Sequence, residues 1–215
     1  VKFAAKTSVD FEIVPAGNHV AILNGIVDLG IQPGRGIYPT PRHEVYLRFE
    51  LSNERIKYEK DGKPIEGPMS IGRTFTASMS EKANLRKFIE GWFGKQFPTD
   101  GAAEAFEFKQ LLSRQCLLNV THNERGGKTY ANINSAAPIP RGMQVTAKQE
   151  NPSLYFDLHE PDQKVFDSLP KWLKEKIQSR MPESEPTAAA KSVEERAAQI
   201  EKEQAHALDD DIPFN

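Results

Sequence analysis

Residues 70–94 read SIGRTFTASMSEKANLRKFIEGWFG, and the period of the apolar residues changes midway. Phe75, Ala77 and Met79 alternate, which is the two-residue repeat of a strand. Leu85, Phe88, Ile89, Trp92 and Phe93 then recur at helical spacing until Gly94 stops the run, and Ser80 stands at the expected N-cap. A strand passes directly into an amphipathic helix. On that stripe Trp92 and Phe93 read as core residues.

Upstream, His19–Leu29 (HVAILNGIVDL) is β-branched and apolar, and the turn-rich GIQPGRGIYPTPR follows it. EVYLRFEL comes next: Val45, Leu47, Phe49 and Leu51 share one face, and Glu44, Tyr46, Arg48 and Glu50 the other. A polar stretch through KDGKP connects this strand to the third. Downstream, a weaker helical piece is expected near Glu104–Leu112. CLLNVTHN and TYANINSA then follow, joined by ERGGK, whose Gly126-Gly127 marks a hairpin.

Three strands, a helix and a strand hairpin make the order of an oligonucleotide/oligosaccharide-binding (OB) fold. The expected class is therefore mainly β: a five-stranded Greek-key barrel with a helix between strands 3 and 4. NPSLYFDL reads as an extra strand. LPKWLKEKIQSRM reads as a short amphipathic helix, with Leu169, Trp172, Leu173 and Ile177 on one side. From Pro182 the composition turns to Glu, Ala, Lys and Gln, too polar to order itself. The expected organisation is a domain over 1–182, a disordered linker over 183–208 and an acidic tip over 209–215.

The net charge of -2 hides an asymmetry. Residues 1–182 carry 25 Lys+Arg and 21 Asp+Glu, whereas residues 183–215 carry 3 and 9. A mildly basic body bears an acidic end. Cys116 is the only cysteine, which excludes a disulfide framework and a Cys-rich zinc site. The five histidines (His19, His43, His122, His159, His206) lack the short spacing of metal ligands, so no metal or cofactor is expected. No apolar run is long enough to span a bilayer, and VKFAAKTSVDFEI lacks the apolar stretch of a signal peptide. The expectation is a cytoplasmic protein.

Catalytic signatures are missing from the sequence: Gly34-Arg35-Gly36 is only a fragment of a phosphate loop, and no nucleophile elbow or HExxH occurs. The chain is not expected to be an enzyme. The outward positions of the strands are more informative. Tyr46 and Arg48 lie on the second strand, and Tyr130 and Asn132 on the fifth. The first loop adds Arg35, Tyr38 and Arg42. The segment after the second strand adds Arg55, Lys57 and Tyr58, and the hairpin adds Arg125 and Lys128. Singly, each is ordinary on a strand or loop. Together, cations interleaved with rings suit single-stranded nucleic acid, whose phosphates need charge and whose bases need a flat face.

The end of the chain is more specific. Asp209, Asp210 and Asp211 directly precede Ile212, Pro213 and Phe214. An apolar anchor beside three carboxylates is a short linear motif for a partner pocket with a basic rim. This DDDIPF resembles the C-terminal tip of bacterial single-stranded DNA-binding proteins, although here Asn215 follows Phe214. The blocks GIVDLG, SMSEKANLRKFIEGWFGKQF and CLLNVTHN…GKTYANI, within roughly residues 18–140, resemble a family of bacteriophage single-stranded DNA-binding proteins.

The resemblance implies a barrel that coats single-stranded DNA in phage replication, recombination or repair. It also implies a tip that recruits partner proteins and competes with DNA for the basic face. A second reading is a protein–protein adaptor of a replication or recombination complex that does not touch DNA. An RNA-binding barrel would read the same. A homo-oligomer is compatible with either reading.

Overall fold

The computed structural model describes residues 12–34, 39–60, 63–143 and 145–182. The expected linker and acidic tip lie outside the described residues. Five strands form the main body: β1 (Gly17–Gln32), β2 (Arg42–Lys60), β3 (Lys63–Thr76), β4 (Gln115–Arg125) and β5 (Lys128–Ala137). Helix α1 (Asn84–Phe93) stands between β3 and β4, followed by α2 (Asp100–Glu104) and a 3-10 turn at Phe108–Leu111.

In space the order is β3-β2-β1-β4-β5, each strand antiparallel to its neighbour. The sheet curls into a half-barrel, and a bridge joins its two ends. Arg73 on β3 donates through Nη1 to the carbonyls of Ile133 and Asn134 on β5, each at 3.0 Å. Curling closes one face of the sheet around the core. Leu47, Phe49 and Leu51 are fully buried there, as the alternation of β2 predicts.

Helix α1 fills that core with Leu85, Phe88, Ile89 and Trp92. The Phe88 ring lies 5.0 Å from Phe75, and Trp92 lies 5.7 Å from Phe49. Trp92 Nε1 donates to the Gln115 carbonyl at 2.9 Å, so its one polar atom is satisfied. Phe93 is half-buried against the same core.

Three local expectations change. The helix begins at Asn84 after Ala83, and Ser80 instead closes a preceding turn by accepting from Ala83 N. The KDGKP stretch is not a plain connection. Beyond an irregularity between Leu51 and Arg55, β2 and β3 stay paired out to Lys60↔Lys63. That ribbon is mostly polar, so its sequence lacks the apolar alternation that marks a buried strand. The piece expected at Glu104–Leu112 is broken, because α2 starts earlier on a Thr99 cap and the chain then packs Phe106 and Phe108 edge to face.

Residues 150–181 add a sixth strand to the sheet and a helical layer on its outer face. Strand β6 (Leu154–Phe156) runs parallel to β1, pairing Gly25–Val27, and helices α3 (Gln163–Ser168) and α4 (Lys171–Gln178) follow. Leu169, Leu173 and Ile177 pack with Phe156 against Val27 and Leu29 on the outer face of β1. The expected extra strand and helix are both present, with Phe156, Leu173 and Ile177 buried and Trp172 exposed.

One carboxylate anchors the start of this layer. Glu50 is fully buried and accepts from Asn24 Nδ2 (3.1 Å), Glu150 N (2.6 Å), Asn151 N (3.0 Å) and Asn151 Nδ2 (2.7 Å). Asn24 in turn accepts from Arg48 Nε at 2.9 Å. A buried anion persists only where such donors replace water.

Two predictions follow from this packing. Glu50→Gln turns one acceptor into a donor facing N–H groups, and should cost about 1–3 kcal/mol in urea unfolding. Faster proteolytic cleavage near residues 145–153 should accompany it. Unchanged stability and cleavage would show that the carboxylate does not hold the layer. Cys116 is fully buried, and burial pushes its thiol pKa up. Labelling with a thiol-reactive dye at neutral pH should therefore be roughly a thousandfold slower or more in the native than in the denatured chain.

Candidate nucleic-acid interface

On β2, Arg42, Glu44, Tyr46 and Arg48 occupy the face opposite the barrel core, beside Thr76, Thr74 and Gly72 of β3. This face is not open along its length. The Tyr46 ring meets Trp172 of α4 edge to face, with centroids 5.1 Å apart and planes at 89°. It also lies across Gly72, where an added Cβ would stand 2.0 Å from Tyr46 Oη. Glycine is needed there for that close approach. Burial raises the pKa of the Tyr46 phenol. The sequence places Tyr46 among outward rings, whereas the structure packs it under α4. Alternation reports which face a side chain takes, but not what later covers that face.

The packed Tyr46–Trp172 pair separates two clefts on the same face. The first, of about 500 Å³, is lined by Asn24, Arg48, Tyr58, Ser70, Asn151 and Ser153 among others. Burial lowers the pKa of the Arg48 guanidinium, which nevertheless remains a cation in proteins. Tyr58 is 46% exposed on the polar ribbon, and Lys57 beside it is exposed. Arg55 is ion-paired with Glu66 at 3.3 Å and also with Glu150, so its charge is already balanced.

The second cleft, of about 550 Å³, gathers Arg42, Arg73, Lys82 and Lys176 with Thr74 and Glu44. Lys176 Nζ is 2.6 Å from Glu44 Oε2, so one of these cations is paired within the cleft. Between the clefts Trp172 is 48% exposed. The sequence groups Trp172 with the apolar side of its helix. The buried stripe is Leu169, Leu173 and Ile177 at four-residue spacing, and Trp172 stands at its edge. That spacing was the available signal. Arg73, Lys82 and Lys176 carried none, because only folding brings β3, the start of α1 and α4 together.

The β4–β5 hairpin projects into solvent, with residues 121–130 all exposed. Arg125 pairs with Lys128 around Gly126-Gly127, whose φ values of 59° and 72° fit the turn expected from Gly-Gly. Tyr130 is 48% exposed, and Asn132 Nδ2 donates to the Tyr130 carbonyl at 3.0 Å. Ile133 on the other face is buried, so the alternation of β5 is as predicted. Arg35, Tyr38 and Asp209–Phe214 lie outside the described residues.

A cleft holding Arg48 and a cleft gathering four cations flank an exposed indole, and further rings and cations stand on two ribbons. Separately, Asp28, Asp157 and His159 place ligand atoms within 4.8 Å of one another. No helix among the described residues is long and apolar enough to cross a membrane. No protein-family model matches the chain, and no curated protein matches it.

Trp172 and Trp92 differ sharply in exposure, which predicts that acrylamide quenches mainly Trp172. Trp172→Phe should remove most of the quenchable emission, and quenching that survives in this variant would contradict the placement of α4. Gly72→Ala should force Tyr46 off its seat and cost about 1–3 kcal/mol of stability in thermal or urea unfolding.

Proposed function

We propose that this protein binds single-stranded DNA with little sequence preference and coats it in phage DNA replication, recombination or repair. The observation that carries the reading is the outer face of β2–β3, where exposed Trp172 stands between a cleft that holds Arg48 and a cleft that gathers Arg42, Arg73, Lys82 and Lys176. In OB folds this strand face and the neighbouring loops take the oligonucleotide. The strand order and the Arg73 bridge between β3 and β5 support reading the half-barrel as such a Greek-key barrel.

Arg42, Arg48 and Lys57, with Arg125 and Lys128 on the hairpin, would track phosphates. Tyr58, Trp172 and Tyr130 would stack bases, with Asn132 adding a polar contact. Tyr46 would act by supporting Trp172 from beneath. Arg35 and Tyr38, which lie between β1 and β2 in sequence, would add a further cation and ring. The tip, Asp209 to Phe214, would recruit partner proteins and compete with DNA for the basic clefts by charge attraction.

The test is a titration with labelled thymine oligonucleotides at two salt concentrations, against duplex of equal length. Binding should favour the single strand, weaken with salt and quench Trp172 emission. Tyr58→Ala, Tyr130→Ala and Trp172→Ala should each lose about 1–3 kcal/mol, or about 5- to 150-fold in affinity. Removing residues 183–215 should leave affinity equal or higher. An absence of single-strand binding at low salt, with or without that segment, would overturn the reading in favour of the adaptor.

A further inference from the structure

The histidines that look scattered in sequence do not all remain so. A cavity of about 250 Å³ is lined by Asp28 of β1, His43 of β2, and Asp157 and His159 beyond β6, with apolar walls such as Ile26 and Met79. Ligand atoms of Asp28, Asp157 and His159 fall within 4.8 Å of one another, and His43 Nε2 lies 2.5 Å from Asp28 Oδ1. No lysine or arginine is among the residues lining this cavity, although it holds two carboxylates.

From this geometry we propose a binding site for one divalent transition ion of the zinc class, held by Asp28, Asp157 and His159. Two carboxylate oxygens and one imidazole nitrogen, with water in the fourth position, make a donor set that suits zinc better than magnesium or calcium, which favour all-oxygen shells. The carboxylates are already oriented. Asp28 Oδ1 accepts from Gly30 N at 2.9 Å, Asp157 Oδ1 accepts from His159 N at 2.9 Å, and Asp157 Oδ2 accepts from Tyr155 Oη at 3.3 Å. Such outer contacts fix the ligands of metal sites. His43 Nε2 stays on Asp28 Oδ1 as a further outer contact, and any proton on the ligating His159 nitrogen leaves to solvent when the ion enters.

The ligands come from β1 and from the segment that follows β6, and His43 of β2 orients Asp28. A bound ion therefore clips the end of β1 to residues 157–159. The role is structural, and it stands independently of DNA binding.

The experiment uses the full untagged chain, stripped of metal and then loaded with Zn²⁺ or Co²⁺. After gel filtration it should retain about one ion per chain, melt at a higher temperature, and show the visible absorption of four-coordinate Co²⁺. His159→Ala alters an exposed side chain, so folding should survive, and affinity should fall by roughly tenfold or more. A triple Asp→Asn variant at Asp209, Asp210 and Asp211 should keep the ion, which separates this site from the acidic tip. No retained ion, retention undiminished in His159→Ala, or loss in the tip variant would each overturn the proposal.

Discussion

Strand β1 carries apolar side chains on both faces, and both faces must be removed from water. Ala21, Leu23 and Ile26 turn toward the barrel core, while Val27 and Leu29 turn outward. The curled sheet and α1 satisfy the first set. Only a second layer can satisfy the other, and residues 150–181 supply it. A half-barrel without this layer would leave an apolar strip on its outer surface, beside the strands proposed to meet DNA.

Covering β1 also reshapes the neighbouring face of β2–β3. Helix α4 reaches across Tyr46, so the middle of a face that would otherwise lie open becomes packed. The exposed ring passes from Tyr46 to Trp172, one layer further out. What remains on either side is a pair of clefts rather than a flat sheet. Clefts bring cations from several elements around one path, as Arg42, Arg73 and Lys176 show. A concave surface lined by cations concentrates their field.

Three polar junctions join segments that are distant in the chain. Glu50 ties β2 to residues 150 and 151, Arg73 ties β3 to β5, and Asp28 meets His43 next to Asp157 and His159. In all three cases a charged side chain is a junction between parts of the fold. Burial makes such groups costly when unpaired. Their placement therefore specifies one docking of the C-terminal layer more tightly than apolar contact alone could.

The strand–helix–hairpin order, the inward residues of β2, the Trp92 stripe and the Gly126-Gly127 turn were legible in the sequence. Each depends on local periodicity or on the backbone needs of a few adjacent residues. The polar ribbon of β2–β3, the covering of Tyr46, the exposure of Trp172 and the gathering of His43 and His159 around two aspartates were not. These depend on contacts between residues far apart in the chain, such as Tyr46 with Trp172 and Asp28 with Asp157. Periodicity states which face a side chain takes. Only the packed tertiary structure decides what that face meets, and with it whether a tyrosine stacks, supports or stays in water.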